Sequence, residues 1–262
     1  MDRPSVLTDE VDTRSSAPVF QTAGWYLEAA VDLPHAADRR QARESAAAVV
    51  PLLLDRLAPA SVVDIGCGAG HWLAELGRQG IDDYLGVDGD YVTMALTIPA
   101  DHFVAADLTK PFVLDRRFDM AMSLEVAEHL PESSADTFVT SLTRLSDLII
   151  FSAAAPGQPG PGHINTRWPS YWTALFAKHG FVGSDPFRAG LWGSEVAWWY
   201  QQNVVVYGRP ERVRSLGLPA ADPASIAHPE LVRLLMDREP GVTESTRMLL
   251  AALRRSARAR FR

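Results

Sequence analysis

The sequence predicts an α/β protein with a seven-stranded, mostly parallel sheet and helices on both faces. Five short apolar segments between residues 61 and 152 alternate with helix-compatible segments, which is the pattern of a parallel sheet. Two later segments, "FVGSDPF" (181–187) and "NVVVYG" (203–208), are expected to close the sheet as a pair. With 262 residues, 47% of them hydrophobic, the chain is long enough to bury a substantial core.

Four regions are expected along the chain. Residues 1–19 are predicted to form a disordered tail, 20–58 an N-terminal helical lid, 59–209 the sheet domain and 210–262 a C-terminal helical extension. In the lid, Pro51 should kink the helix or make it restart, and Trp25 and Tyr26 are placed to close over a ligand. The first five strands are predicted at Ser61–Ile65, Tyr84–Val87, Phe103–Ala105, Phe118–Ser123 and Asp147–Ser152.

Composition and charge narrow the function classes. A net charge of −7 argues against non-specific binding to a phosphate backbone, so a nucleic-acid partner is not expected. The lone Cys67 excludes an internal disulfide bond, and no signal-peptide or membrane-spanning pattern is present, so a cytoplasmic location is expected. The arginine-rich segment after Ser245 is interpreted as the solvated face of a terminal helix, with contact to an acidic partner or to the second subunit of a homodimer as the alternative.

A glycine-rich bend, "DIGCGAG", starts at Asp64 in the first predicted strand. In an open parallel sheet, ligands bind beyond the carboxyl ends of the strands, where the strand order reverses. Gly66, Gly68 and Gly70 permit a tight turn and let a ligand approach the backbone. His71 stands where a dinucleotide fingerprint requires glycine, and the lysine of a phosphate-binding loop is absent. The bend is either a ligand cradle, where the preceding acid suits a cationic ligand, or a structural turn.

Further polar residues follow the next predicted strands. Asp88 lies 18 residues after Gly70, close to the offset at which an acid receives ribose hydroxyls in nucleotide-binding sheets. Asp107, with the Leu108 backbone beside it, is placed to accept a hydrogen bond from an exocyclic amino group. For both acids the alternative is a turn-forming role. The acids after three successive strands, with Ser123 at the end of the fourth, outline a nucleoside pocket.

Here the chain resembles the class I S-adenosylmethionine-dependent methyltransferases, which have a Rossmann-like fold. The matching segments are "VVDIGCGAG", "GVDGD", "AADLTKPF" and "FDMAMSLEVAEHLPE", within residues 60–207. The resemblance implies that the bend cradles the methionine portion and the sulfonium of S-adenosylmethionine, that Asp88 holds the ribose and that Asp107 lies near the adenine. The implied cofactor-binding residues are Asp64, Gly66, Cys67, Gly68, Gly70, Asp88, Asp107, Leu108 and Ser123.

The segment "LEVAEHLP" supplies candidate catalytic groups. If a helix begins near Glu125, then Glu125, Glu128 and His129 share one helical face, which suits a metal bound by carboxylates and imidazole. A glycine- and proline-rich loop brings His163 to the same edge. This E-x-x-E-H motif with a later histidine resembles the metal site of small-RNA 3′-terminal 2′-O-methyltransferases, and a similar segment occurs in ubiquinone-pathway O-methyltransferases. The resemblance implies Mg²⁺ or Mn²⁺ bound by Glu125, Glu128, His129 and His163.

Two alternatives to a metal site stay open at this edge. His163 or His129 can act as a metal-free general base, because an imidazole titrates near pH 6.5 (about its ordinary pKa). The acids can otherwise simply start a helix, whose dipole they favour. The candidate catalytic residues are therefore His163, His129 and Glu125.

The acceptor side is expected to be aromatic. The segments "RWPSYW" and "LWGSEVAWWYQQN" hold five of the seven tryptophans. Most of these side chains are expected to pack in the core or a lid; the alternative is an aromatic wall for a sugar or another ring-bearing acceptor. The segments "GHINTRWPSYWTALFAKHGF" (162–181) and "WWYQQNVVVY" (198–207) resemble a bacterial methyltransferase subgroup of carbohydrate and secondary-metabolite pathways, including antibiotic biosynthesis. The resemblance implies O-methylation of a small-molecule acceptor, a natural product or a sugar.

Several other functions are weighed against O-methylation. Within the same enzyme class the acceptor atom is instead nitrogen, carbon or the end of an RNA. A protein that binds S-adenosylmethionine without catalysis is a third hypothesis. An NAD-dependent oxidoreductase is disfavoured by His71 at the position of the third glycine.

Overall fold

The computed structural model describes residues 34–237 and confirms the mostly parallel α/β sheet. The strands form one sheet in the order third, second, first, fourth, fifth, seventh, sixth, and the seventh is antiparallel to both of its neighbours. Their bounds are β1 (Ser61–Ile65), β2 (Asp83–Asp88), β3 (Phe103–Ala105), β4 (Met120–Leu124), β5 (Leu148–Ser152), β6 (Val182–Ser184) and β7 (Val205–Gly208). The bounds of β1 and β3 are as predicted, those of β2, β4 and β5 differ by one or two residues, and β6 and β7 lie within the predicted segments.

The helices alternate with the strands as expected. The α-helices are α1 (Pro34–Leu57), α2 (His71–Arg78), α3 (Ala135–Leu145), α4 (Pro169–Lys178), α5 (Arg188–Leu191), α6 (Trp198–Asn203), α7 (Pro210–Ser215) and α8 (Pro229–Met236). Short 3₁₀ turns occur at Asp90–Ala95, Ala100–His102, Ala127–His129 and Glu132–Ser134.

Helices cover both faces of the sheet, and each face has its own hydrophobic core. The neighbouring valines of β1 belong to different cores, because successive side chains in a strand point to opposite faces. Val62 belongs to the core that includes Leu53 of α1 and Leu73 of α2. Val63 belongs to the core that includes Phe138 of α3 and Phe176 of α4. Burial on both faces explains why the central strands are continuous apolar runs.

Helix α1 runs unbroken through Pro51, so the proline neither ends nor restarts it. A proline inside a helix removes one backbone hydrogen bond. The helix nevertheless buries Val50, Leu53 and Leu57 in the core, which offsets that loss. The described part of the predicted lid is therefore a core helix, whereas Trp25 and Tyr26 lie outside the described residues.

The chain divides into two compact units, of which the first ends at Ile226 and the second begins at Ala227. The expected extension was to begin at residue 210, but α7 belongs to the first unit and buries Val213 in its core. The arginine-rich segment after Ser245 and the tail at residues 1–19 lie outside the described residues. Within residues 34–237, no helix combines the length and the hydrophobicity that a membrane span requires.

Candidate active site

The candidate site lies where the carboxyl ends of β1, β2, β4 and β5 meet. Strand β1 pairs with β2 on one side and with β4 on the other. The strand order runs outward in opposite directions from this central pair, so it reverses between β1 and β4. Ligands of open parallel sheets bind at such a reversal. The segments that leave these four strands carry nearly all of the residues that the sequence analysis singled out.

The three glycines of the bend adopt left-handed backbone conformations. Their φ angles are 82° at Gly66, 54° at Gly68 and 81° at Gly70, a region that other residues seldom occupy. The Gly66 amide donates to Val87 O of β2 at 2.7 Å, which ties the bend to the neighbouring strand. A Cβ atom on Gly66 would overlap the side chain of Val126, in the turn after β4. The bend and that turn are therefore in direct contact.

This contact leads us to predict a loss of stability when Gly66 is replaced. Gly66→Ala is expected to lower the free energy of unfolding by about 1–3 kcal/mol more than Gly80→Ala does, because only the first substitution overpacks a neighbour. Gly80 is a matched control: its φ is 94°, so alanine meets the same backbone strain, but nothing lies within 4 Å of the added Cβ. Urea unfolding measures both variants. Equal losses would show that the Val126 contact is not tight.

Asp64 is a buried carboxylate with an unfilled hydrogen-bond position. Its side chain lies in β1, the residue is 3% exposed, and Oδ1 has no hydrogen-bond partner within the described part of the chain. Burial, reinforced by the Asp88 carboxylate, raises the pKa of Asp64 to about 8. A buried polar atom without a partner needs a donor, and a bound cationic group would supply one and lower the pKa.

Asp88 ends β2 and holds the bend in place. Its Oδ2 accepts from the Gly68 amide at 2.7 Å, and its Oδ1 accepts from the Gly89 amide at 2.6 Å and from the Tyr91 hydroxyl at 2.8 Å. Burial raises the pKa of Asp88, and these donors oppose the rise. Tyr91 was missed by the sequence analysis, although an aromatic residue three positions after a strand-end acid was a usable signal.

The remaining predicted cofactor residues have mixed surroundings. Asp107 makes the turn contacts that the alternative interpretation expected: its Oδ1 accepts from the Thr109 amide at 3.0 Å and from the Thr109 hydroxyl at 2.6 Å. Burial opposes ionisation of Asp107, but its donors Thr109 and Lys110 outweigh it and lower the pKa. Cys67 is buried beside Gly86, Leu108 is in the core, and Ser123 has a buried hydroxyl without a described partner.

The E-x-x-E-H segment is not a helix, which corrects the prediction. Glu125 has a left-handed φ of 55°, and only Ala127–His129 form a single 3₁₀ turn. The backbone amide of Glu125 donates to the backbone and side-chain oxygens of Ser152 in β5, both at 3.0 Å, which holds this turn at the sheet edge. Glu125, Glu128 and His129 therefore do not share a helical face.

A compact acid–histidine cluster is nevertheless present. One ligand atom each from Glu128, His129 and His163 lie within 4.8 Å of one another. His163 Nε2 is 3.9 Å from Glu128 Oε1, and the two imidazole rings are 4.9 Å apart in an edge-to-face arrangement. The amides of Ile164 and Asn165 both donate to the backbone oxygen of Glu128 at 2.9 Å, so two loops distant in sequence are joined here. Glu125 is not part of this cluster.

Burial dominates the electrostatics of the cluster. Glu128 is fully buried, and burial followed by repulsion from Glu125 raises its pKa well above the ordinary value. Burial, with the neighbouring His163, lowers the pKa of His129 to about 4. Burial also lowers the pKa of His163. Two neutral imidazoles beside a buried carboxyl group are suited to a cation.

Gln158 and Asn203 were missed by the sequence analysis, yet both contact Glu125. Gln158 Nε2 donates to Glu125 Oε2 at 2.7 Å, and Asn203 Nδ2 donates to Glu125 Oε1 at 3.1 Å. These contacts span 33 and 78 residues of sequence. The glutamine lies in the same loop as His163, which was the one available signal.

The aromatic segments are divided between the core and the site. Trp172 is buried in the core against Phe151, with ring centroids 5.2 Å apart, so it is not part of an acceptor wall. Trp72, in the helix after the glycine bend, packs edge-on against Tyr200 at 5.2 Å. Burial raises the pKa of Tyr200, and the charges of Glu125 and Asp64 add to the rise.

The chain is similar to known proteins at two levels, a sequence family and the fold. The family model described as "Methyltransferase domain" matches residues 38–182. No curated protein matches the chain significantly. A putative O-methyltransferase from Nostoc punctiforme has a TM-score of 0.52 at 13% identity, covering 70% of this chain and 60% of that chain.

Two further structures have TM-scores of 0.47. DesVI of Streptomyces venezuelae is 14% identical, and the aligned part covers 64% of this chain and 92% of the DesVI chain. The magnesium protoporphyrin IX methyltransferase of Synechocystis PCC 6803, with bound SAH, is 19% identical and covers 65% of this chain and 84% of that chain. At such identities the similarity concerns the fold alone.

Proposed function

Because the chain belongs to the methyltransferase domain family, we propose that it methylates a hydroxyl group of a small molecule, a natural product or a sugar, with S-adenosylmethionine as the methyl donor. The family model spans more than half of the chain. The observation that carries the proposal is the contact between Gly66 and Val126, which brings the glycine bend against the turn that bears Glu128 and His129. A cofactor cradle and a candidate catalytic cluster are thereby adjacent.

The residues of the bend fit S-adenosylmethionine. Asp64 has an unpartnered buried oxygen for the amino group, the left-handed glycines form the bend beside it, and Asp88 ends the strand where ribose hydroxyls bind in this class of sheet. When bound, the sulfonium supplies an activated methyl group with a neutral leaving group. The chain must align the acceptor, exclude water and remove the acceptor's proton. The buried side chains of Trp72 and Tyr200 contribute to water exclusion.

The cluster of Glu128, His129 and His163 fits a divalent cation. The buried carboxyl group of Glu128 and the two imidazoles offer three ligands, and the predicted fourth ligand, Glu125, accepts from Gln158 and Asn203. This set favours Mn²⁺ over Mg²⁺, because Mg²⁺ prefers oxygen ligands. A cation there would stabilise the deprotonated form of the acceptor hydroxyl.

A metal-free histidine base is the second candidate, and one contact favours it. His163 Nδ1 is 3.1 Å from the backbone oxygen of Gln158, which can only accept, so Nδ1 carries the proton and the Nε2 lone pair is available. Because burial lowers its pKa, the imidazole is neutral at pH 7 and able to accept a proton.

The proposed reaction is tested by screening acceptors with methyl-labelled S-adenosylmethionine. A panel of sugars and of phenolic and polyketide alcohols is expected to yield a methyl ether in which the label lies in the O-methyl group. Label on nitrogen or carbon would overturn the choice of acceptor atom while leaving the enzyme class intact. We also propose that the protein is cytoplasmic and forms a homodimer. Size-exclusion chromatography with light scattering tests the homodimer by measuring its molar mass.

Metal removal separates the two catalytic schemes. Chelation is expected to stop methyl transfer, and added Mn²⁺ should restore it, because Glu128 then regains a cationic partner. Calorimetric titration with Mn²⁺, Mg²⁺ and Zn²⁺ should show binding that Glu128→Gln weakens by at least about tenfold, the loss of one charged ligand. Glu132→Gln is the matched control, since Glu132 pairs with Arg167 at 2.6 Å in the next turn. Full activity in the presence of chelator would exclude the metal scheme and leave the histidine base as the remaining candidate.

A further inference from the structure

Glu125 and Gln158 form a buried carboxylate–carboxamide pair. Gln158 Nε2 donates to Glu125 Oε2 at 2.7 Å, and Asn203 Nδ2 donates both to Glu125 Oε1 at 3.1 Å and to Gln158 Oε1 at 2.9 Å. Gln158 Oε1 also accepts from the Ala155 amide at 3.3 Å. Gln158 and Asn203 are 6% and 5% exposed, so solvent does not compete for these bonds. Each oxygen of the pair thus has a donor.

The same glutamine is bonded to His163 through its backbone. Its amide donates to Ala155 O at 3.0 Å, and its carbonyl oxygen is 3.1 Å from His163 Nδ1. Gln158 is therefore fixed through its side chain and its backbone at once. A fixed carbonyl at Nδ1 determines which ring nitrogen carries the proton and how the imidazole is oriented.

The His163 imidazole also has close neighbours on the side of Nε2, which limit its freedom to reorient. Nε2 lies 3.9 Å from Glu128 Oε1, and a Cβ atom on Gly160 would overlap the imidazole ring. The ring is thus confined between the Gln158 carbonyl, the Glu128 carboxylate and the Gly160 backbone. Any displacement of Gln158 would change the position of Nε2 relative to Glu128.

We propose that Gln158, held by Glu125 and Asn203, is a positioning residue that fixes the tautomer and orientation of His163, and that Glu125 serves this pair instead of binding a metal. The inference deepens the proposed function, on which it rests. It explains why Glu125 adopts a strained left-handed backbone while lying outside the metal-suited cluster. Both of its oxygens are used by amide donors.

Exchange of the two side chains tests this pairing. Glu125→Gln alone places two carboxamides against each other and removes one acceptor. The double variant Glu125→Gln with Gln158→Glu restores a donor–acceptor pair, and both bonds from Asn203 retain acceptors. We expect the single variant to lower turnover by about tenfold or more, as loss of an orienting hydrogen bond does, and the double variant to recover most of it. A metal-ligand role for Glu125 predicts no recovery.

Nitrogen-15 NMR of histidine-labelled full-length protein reads the tautomer directly, with the His163 signal assigned from His163→Gln. The wild type should show protonated Nδ1 and unprotonated Nε2 at His163. Gln158→Met, which keeps the side-chain volume, should raise the Nε2–H fraction, and the double exchange should restore the wild-type spectrum. Gln201→Ala is the control: Gln201 is equally buried, but its bonds go to Gly193, Ser194 and Val196.

The outcomes separate this inference from the proposed function. An unchanged His163 tautomer in Gln158→Met, or an equal change in Gln201→Ala, would overturn the positioning role. Binding of S-adenosylhomocysteine should be the same in all of these variants, so its loss from the wild type would count against the proposed function instead. Should Gln158→Met fail to fold, the double exchange alone decides: recovery of turnover and tautomer supports the pair, and failure of both overturns it.

Discussion

His163→Ala is expected to reduce the rate constant for methyl transfer by about 10²–10⁴-fold, the usual contribution of a positioned acid–base group. The side chain offers Nε2 to the cluster, and both of the catalytic schemes above use that nitrogen, either as a metal ligand or as a base. S-adenosylhomocysteine affinity should not change, because the polar and ring contacts of His163 go to Gln158, Glu128 and His129, outside the glycine bend. Single-turnover kinetics with the acceptor found by screening measure the rate constant.

His102→Ala is the matched control for that loss. His102 is also partly buried, and its Nδ1 likewise lies 3.0 Å from a backbone oxygen, that of Tyr84, but it precedes β3 at the other end of the strand from the site. Its substitution should cost some stability and leave the rate constant near that of the wild type. A His163→Ala enzyme with wild-type turnover would contradict both catalytic schemes.

Asp88→Ala should weaken binding of S-adenosylhomocysteine by about 10–100-fold, equivalent to the 1–3 kcal/mol of a hydrogen bond to a charged group. The loss has two sources. The carboxylate would no longer receive the ribose hydroxyls, and the Gly68 amide would lose the acceptor that holds the bend at 2.7 Å. Isothermal titration calorimetry measures the affinity, and thermal unfolding separates it from any loss of stability.

Asp83→Ala is the control for this substitution. Asp83 begins the same strand that Asp88 ends, and it pairs with Arg116 at 2.7 Å near the surface, remote from the glycine bend. Its replacement should leave the affinity unchanged, since exposed ion pairs contribute little. Equal affinities for the Asp88 variant and the wild type would remove Asp88 from the cofactor site.

Most of the sheet was predictable because its information is local. Short apolar runs such as Ser61–Ile65 specify buried strands, and the glycines after β1 mark a bend that no other residue type would form easily. The fold and the methyltransferase class are confirmed by the sheet order and by the family match. The restart expected as one alternative at Pro51 is wrong, because the core contacts of Val50 and Leu53, which a local rule ignores, retain the helix around the proline. The other alternative, a kink at Pro51, stays a prediction.

The catalytic edge was less predictable because its contacts are distant in sequence. Spacing alone suggested that Glu125, Glu128 and His129 share a helical face. The bonds from the Glu125 amide to Ser152, 27 residues away, instead hold a left-handed turn. Likewise, nothing local marks Asn203 as a partner of Glu125, 78 residues earlier. Such pairings depend on the strand order, which the local patterns do not encode.

We propose that one sheet edge holds S-adenosylmethionine beside the cluster of Glu128, His129 and His163. A crystal structure with S-adenosylhomocysteine and Mn²⁺, with an anomalous map to locate the ion, tests it most directly. We expect the ribose on Asp88, the amino-acid end near Asp64, and an ion bound within the cluster. A cofactor bound elsewhere, or none at saturating concentration, would overturn the proposed site, whereas a bound cofactor with no ion would leave His163 as a metal-free base.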